Sequence, residues 1–240
     1  MINSKVYFVK TGGGSVYTFR NDSLQRIDQS FDHKMQWQAN FFAHEGRIFA
    51  YGGYGFWSVR EFFIYFDEAL REWELFNPNP MEEKGPAIFG GYFLKSGDDF
   101  YVCDGFTINP LNRDEKLNNY AVWHFSFKNN HWTYLGKSSA DFHRASKAVN
   151  WPFSHNDKLY MLNTNHIEVI EIKNNRRILY KHGMFSTTAI GDDVKIFADQ
   201  NKFIIVRNEN DRIKIESIDA NLFLETKSQK VNFIRTAAGG

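Results

Sequence analysis

The sequence predicts an all-β fold made of repeated four-stranded antiparallel sheets. Phe, Tyr and Trp make up 17% of the 240 residues, and these residue types are enriched in β-strands. Short apolar runs recur along the chain and alternate with turns rich in Gly, Asn and Asp, which is the pattern of β-hairpins. Because the pattern extends over the whole chain, we predict a single domain spanning residues 1–240.

One strand recurs five times and ends each time in glycine or a polar residue. With Tyr7, Phe49, Tyr101, Tyr160 and Ile204 as equivalent positions, successive copies lie 42, 52, 59 and 44 residues apart. Periods of this length, with about four strands in each copy, are typical of β-propeller blades. The chain is therefore predicted to be a β-propeller.

The two ends of the chain predict how the propeller closes. The first copy begins directly at its second strand, and a lone strand at residues 231–235 is left over after the fifth copy. Pairing this strand with residues 5–9 would complete the first blade and close five blades without exposed central edges. An incomplete propeller, cut from a longer chain or completed by another chain, is the alternative. The predicted blades are residues 231–236 with 5–28, 36–76, 86–136, 147–181 and 193–226.

Two of the copies carry a further motif. In the second copy, Gly52 and Gly53 end the second strand, Phe62 lies in the third strand and Trp73 opens the fourth. The corresponding residues of the third copy are Asp104, Gly105, Tyr120 and Trp132. These features resemble kelch repeats over residues 36–136, whereas the fourth and fifth copies lack both the glycine pair and the tryptophan. The resemblance implies a kelch-like propeller.

The connections between strands two and three differ in length between copies. They are short in the first, fourth and fifth copies but long in the second and third, at residues 54–60 and 106–115. Long loops on a rigid scaffold often carry function, so we predict a binding site on the face that holds them.

The long loops contain residue types that are enriched at binding hot spots. Phe56, Trp57 and Arg60 are of this kind, and Arg113 could hold a carboxylate in bidentate fashion. The kelch resemblance adds an arginine, Arg144, of the kind that often lines the central opening. Alternatively, the aromatic residues fold back onto the rim of their blade and Arg113 pairs with a neighbouring acid in solvent. The predicted binding residues are Phe56, Trp57, Arg60, Phe106, Asn109, Arg113, His143 and Arg144.

No pattern in the sequence predicts catalytic residues, a metal or a cofactor. The eight histidines lack metal-ligand spacing, and the glycines at 12–14 lie between strands rather than before a phosphate-binding helix. Asp104, Glu61 and Asp141 are carboxylates with no pairing pattern. Cys103 is the only cysteine and lies in an apolar strand, which indicates burial rather than a copper site.

Charge and composition limit the possible partners. The 29 Lys and Arg residues nearly balance 28 Asp and Glu residues, so we expect neither nucleic acid nor a membrane as partner. The chain begins without a secretory signal, so we expect a cytoplasmic protein. We predict a non-enzymatic scaffold that binds a protein or peptide through one loop-rich face. The alternatives are a carbohydrate-binding or carbohydrate-processing propeller and a recognition domain of a larger complex.

Overall fold

The structure confirms an all-β fold. The computed structural model describes residues 5–10, 12–21, 23–30, 36–76, 84–139, 153–162, 166–181, 194–199, 202–209, 212–219 and 230–235. These residues form 24 strands, and their one helical segment is a 3₁₀ turn at Ile172–Asn174. No helix in the described ranges is long and apolar enough to cross a membrane. The chain divides into two compact units, one of Met1–Tyr92 with Gly97–Tyr134 and the other of Phe93–Ser96 with Leu135–Gly240.

The first two sheets follow each other along the chain. Strands β1, β2 and β3 form a three-stranded sheet, and strands β4, β5, β8 and β9 form a four-stranded sheet in that order. Strands β6 and β7 form a small separate hairpin inserted between β5 and β8. The bounds are β1 (Tyr7–Val9), β2 (Val16–Arg20), β3 (Ser23–Arg26), β4 (Asn40–His44), β5 (Arg47–Tyr51), β6 (Tyr54–Gly55), β7 (Ser58–Val59), β8 (Phe63–Asp67) and β9 (Glu72–Phe76).

The third sheet repeats the arrangement of the second. Its strands β10, β11, β14 and β15 are hydrogen-bonded in that order, and β12 and β13 form a second inserted hairpin. The bounds are β10 (Tyr92–Ser96), β11 (Asp99–Cys103), β12 (Phe106–Asn109), β13 (Asn112–Asn118), β14 (Ala121–Ser126) and β15 (His131–Ser138).

The remaining strands belong to the second unit. Strands β16 to β19 form the fourth sheet, strands β20 to β22 form the fifth, and β23 and β24 come from the end of the chain. The bounds are β16 (Phe153–His155), β17 (Lys158–Leu162), β18 (His166–Glu171), β19 (Arg176–Lys181), β20 (Val194–Asp199), β21 (Lys202–Glu209), β22 (Arg212–Asp219), β23 (Lys230–Asn232) and β24 (Ile234–Arg235). The predicted copies follow the order of the five sheets, except that residues 231–235 of the first copy lie elsewhere and the predicted fourth strand of the fifth copy lies outside the described residues.

The predicted pairing of the C-terminal strand with the first copy is wrong. Strand β23 pairs with β19, and β24 pairs with the end of β15, where Lys137 lies opposite Arg235. Asn175 fixes the turn between them, because its side-chain oxygen accepts a hydrogen bond from the Ile234 amide at 2.5 Å. Phe233 is fully buried there. The C-terminal segment therefore covers the outer edges of two sheets. Its backbone provides hydrogen-bond partners for the edge strands β15 and β19.

Aromatic side chains form much of the core of the first unit. The Phe63 ring stacks on Trp132 with centroids 5.6 Å apart, and the Phe42 and Phe100 rings lie 4.8 Å apart. Tyr51 contacts the same tryptophan at 5.0 Å, and all five side chains are buried. Such pairs contribute about 0.5–1.5 kcal/mol each beyond the burial of apolar area.

The two tryptophans of the predicted motif have equivalent roles. Trp73 is buried, and its indole N–H donates a hydrogen bond at 2.7 Å to the carbonyl of Gly14, which precedes β2 in the first sheet. Trp132 is also buried and packs on Tyr51 of the second sheet. Each tryptophan therefore attaches its own sheet to the preceding one.

The glycine pair and its replacement share one backbone conformation. Gly52 and Gly53 have φ of +71° and +92°, and Asp104 and Gly105 have φ of +59° and +99°. Aspartate is one of the few residues other than glycine that enter the left-handed region readily. A Cβ atom on Gly52 would lie 2.5 Å from the carbonyl oxygen of Ile88, so the first residue of the glycine pair has no room for a side chain.

Candidate functional site

The two long connections predicted as loops are ordered β-hairpins in the first unit. In the first hairpin, Tyr54 pairs with Val59 and Gly55 pairs with Ser58. The second hairpin is longer and spans residues 106–118. Its register shifts by a bulge between Ile108 and Asn109. Strand β7 of the first hairpin contacts β12 of the second. The two insertions therefore form one continuous surface.

Backbone hydrogen bonds anchor the first hairpin to the chain around it. The amides of Trp37 and Tyr54 each donate to the carbonyl of the other residue at 2.8 Å. The Arg60 amide donates to the Gly53 carbonyl at 2.8 Å, and the Gly53 amide donates to the Ile88 carbonyl at the same distance. These bonds hold both ends of the hairpin, so its tip is presented from a fixed base.

The tip of the first hairpin has an unusual composition for its geometry. Phe56 and Trp57 are its two turn residues, and their φ angles are +49° and +65°. Positive φ at both positions defines a type I′ turn, for which Asn-Gly is preferred, and bulky residues there cost about 1–2 kcal/mol each. Their side chains are 59% and 82% exposed, so they do not fold back onto the rim of the blade. No core packing offsets the strain of this turn.

Arg60 follows the first hairpin and lies close to two aromatic rings. Its guanidinium carbon is 6.0 Å from the centroid of Phe56 and 5.6 Å from that of Phe62. These distances fall within the range of cation–π attraction. The arginine is therefore held beside the exposed turn.

A row of rings joins the bases of the two hairpins. The Tyr54 and Phe106 rings each lie 5.7 Å from the Phe89 ring. Phe89 and Phe106 also exchange backbone hydrogen bonds of 3.0 and 2.9 Å. Lys116 of β13 places its ammonium nitrogen 5.6 Å from the Phe89 centroid. Phe106, predicted to bind a partner, is thus a half-buried support of the site.

Trp37 is an exposed aromatic residue that the sequence did not single out. Its side chain is 60% exposed, and three atoms of its ring would lie 3.1–3.3 Å from a Cβ on Gly12. One side of the ring therefore rests on the backbone of the first glycine turn. We term the outward-facing residues of the site the hairpin surface, which consists of the exposed Trp37, Phe56, Trp57 and Lys116 and the half-buried Arg60.

The second hairpin uses one predicted binding residue for its own turn. The Asn109 side-chain oxygen accepts a hydrogen bond from the Leu111 amide at 2.9 Å, and its amide group donates to Glu115 at 2.6 Å. Such a turn is a common use of asparagine. Arg113 is exposed on β13 and makes no ion pair with another described residue. The remaining predicted residues, His143 and Arg144, lie outside the described residues.

The other polar candidates have structural surroundings. Cys103 is fully buried, and burial raises the pKa of its thiol well above the usual value. Asp104 is buried in the left-handed turn described above. In the described part of the chain, no group of three His, Cys, Asp or Glu side chains is placed to hold a metal ion.

Comparisons with known proteins concern the fold. No family model matches the chain, and no curated protein matches it in sequence. The solved structure of YjhT is similar to this chain, with a TM-score of 0.54 and 14% sequence identity over 97% of this chain and 82% of that chain. At this identity the likeness shows the fold alone. Together with the repeated antiparallel sheets, it shows that the chain has an all-β, β-propeller-like fold.

Proposed function

We propose that the chain is a binding module that presents the hairpin surface to a protein or peptide. The observation that carries this proposal is the strained turn of Phe56 and Trp57, whose side chains are exposed. A turn that serves only the fold would favour small residues with easy access to positive φ. Strain that packing does not explain is characteristic of functional positions.

The composition of the hairpin surface supports recognition of a polypeptide. Trp and Arg are the residue types most enriched among energetic hot spots of protein interfaces. Trp57 and Arg60 are such residues, and the hydrogen-bonded base of the hairpin limits the entropy lost when a partner binds. Binding by a non-enzymatic scaffold needs only such contacts and no catalytic group at this surface.

We also propose that the propeller is of the kelch type. Two features support this proposal: the burial of Trp73 and Trp132, and the left-handed conformation shared by the residue pairs that directly follow β5 and β11. Both features concern the second and third sheets, where the inserted hairpins also lie.

Replacing the turn by its preferred dipeptide tests the binding role directly. In the double variant Phe56→Asn with Trp57→Gly, we expect the free energy of unfolding to rise by about 1 kcal/mol, because the strain of two bulky residues is removed while the smaller cation–π attraction between Phe56 and Arg60 is lost. For a chain of this size, that corresponds to an increase in Tm of about 2–4 °C. We expect the same variant to lose partner binding, measured by capture, mass-spectrometric identification and re-measurement with the purified partner.

Leu70→Ser is the matched control for this experiment. Leu70 is 56% exposed in the turn between β8 and β9. This turn lies at the end of the second sheet opposite to the connection that holds the first hairpin. This variant removes a comparable exposed apolar side chain and should bind the partner as the wild type does. A double variant that is less stable but binds normally would contradict the proposal, because the aromatic turn would then serve the fold.

Carbohydrate binding is a second candidate, and it rests on Trp37. A tryptophan ring supported on one side by the Gly12 backbone offers its exposed part as a stacking platform. A glycan array compares the wild type with Trp37→Ala. Glycans that bind the wild type and are lost in this variant would favour the carbohydrate function, whereas an array without hits would count against it.

A further inference from the structure

The charge on Arg60 is not compensated within the described part of the chain. Its neighbour Glu61 accepts a hydrogen bond from the Lys84 ammonium at 2.7 Å, which directs that carboxylate elsewhere. No described carboxylate forms an ion pair with Arg60. Contact with aromatic rings does not use the guanidinium N–H groups as an ion pair would, so they remain available to a bidentate acceptor.

Backbone hydrogen bonds and ring contacts both position the half-buried Arg60. Its amide donates to the Gly53 carbonyl at 2.8 Å, and its carbonyl accepts from the Ile88 amide at 3.3 Å. The Phe56 and Phe62 rings hold the guanidinium from 6.0 and 5.6 Å. A pre-organised side chain loses less conformational entropy when it binds, so more of the interaction energy is available for affinity.

A second cation on the hairpin surface has the same character. Lys116 lies against the Phe89 ring and forms no ion pair with a described residue. The adjacent carboxylate of Glu115 accepts a hydrogen bond from Asn109, while Asp114 stands exposed on the same strand. Both cations of the hairpin surface therefore lie on aromatic rings without an acidic partner, so a negatively charged ligand would complement the surface.

We infer that the hairpin surface binds an acidic segment of its partner, in which one carboxylate pairs with Arg60 and a neighbouring apolar side chain packs on Trp57. This inference rests on the proposed function and names the chemistry of the partner. A carboxylate fits better than a phosphate, because a phosphate carries nearly two negative charges and is commonly held by several arginines, whereas only one guanidinium contacts aromatic rings here. Trp57 is 82% exposed in the same turn as Phe56 and provides the apolar contact.

An array of short synthetic peptides tests the inference. Each peptide places Asp or Glu beside Leu or Trp and is matched by a peptide with Asn or Gln in place of the acid, and a further set carries phosphoserine. The array is probed with the wild type, Arg60→Gln, Arg60→Lys, the Phe56→Asn with Trp57→Gly double variant and Leu70→Ser. We expect the wild type to prefer the acidic peptides by about tenfold or more, because hydrogen bonds to charged groups are the stronger ones.

The variants separate the two proposals. We expect Arg60→Gln to abolish the preference for acid over amide, Arg60→Lys to restore part of it, and Leu70→Ser to leave it unchanged. Equal binding of acidic and amide peptides to the wild type, or a preference that persists in Arg60→Gln, would overturn the inference. Tighter binding of the phosphoserine set would also overturn it. If the amide peptides bind equally well and the double turn variant still loses them, the proposed function stands while the acidic partner is wrong.

Discussion

Replacing Phe233 by alanine is expected to lower the free energy of unfolding by about 3–5 kcal/mol. The Phe233 side chain is fully buried at the point where β23 and β24 leave one sheet edge for the other. Removing the ring leaves a cavity, and the strands on either side must then hold their edges without an apolar anchor. Urea denaturation followed by circular dichroism measures the loss.

Arg235→Ala is the matched control for the Phe233 variant. Arg235 belongs to the same segment, but its side chain is exposed and its pairing with Lys137 runs through the backbone. Surface substitutions of this kind usually change stability by less than about 0.5 kcal/mol. Equal stability of both variants and the wild type would show that the C-terminal segment does not stabilise the fold.

Replacing Gly52 by alanine is expected to destabilise the protein by about 3 kcal/mol or more, because two penalties add. Alanine is strained at a φ of +71°, and its Cβ would lie 2.5 Å from the Ile88 carbonyl oxygen, which the backbone holds in place. The change in Tm, measured by differential scanning calorimetry, checks this expectation.

Gly13→Ala controls for the general effect of removing a glycine. Gly13 has no neighbouring atom within 4 Å of the position that a Cβ would take, and its φ lies outside the left-handed range. We expect this variant to be neutral or slightly stabilising, because alanine restricts the unfolded chain. A Gly52→Ala variant as stable as Gly13→Ala would contradict the close approach of the two backbone segments.

The repeat could be predicted because its signals are local. The turn residues and apolar strands of each copy lie close together in the sequence, and the left-handed turn at Gly52 and Gly53 has a residue-type signature. The strands with which residues 230–235 pair could not be predicted in this way. Several sheet edges are chemically equivalent acceptors for an apolar strand, and only packing, such as the burial of Phe233, distinguishes them.

The candidate site was predicted only in outline. Its position was predicted from loop length, and the exposure of Phe56 and Trp57 contradicts the alternative in which these side chains fold back onto the rim, while their binding role stays a prediction. Residue type alone could not decide, because an aromatic side chain near a loop can cover a core or face solvent equally well. Trp37 was missed because it precedes the second sheet and belongs to no repeat motif; an isolated tryptophan between polar residues was the available signal.

The pairing of β24 with β15 bears on how the protein forms during translation. Lys137 pairs with Arg235, so roughly a hundred further residues must be synthesised after Lys137 before this backbone pairing can form. Domains otherwise begin to fold from the N-terminal side during synthesis. Until then the outer edges of the third and fourth sheets are open to any strand that reaches them. A nascent chain stalled before residue 230 should therefore depend on chaperones more strongly than the finished protein does.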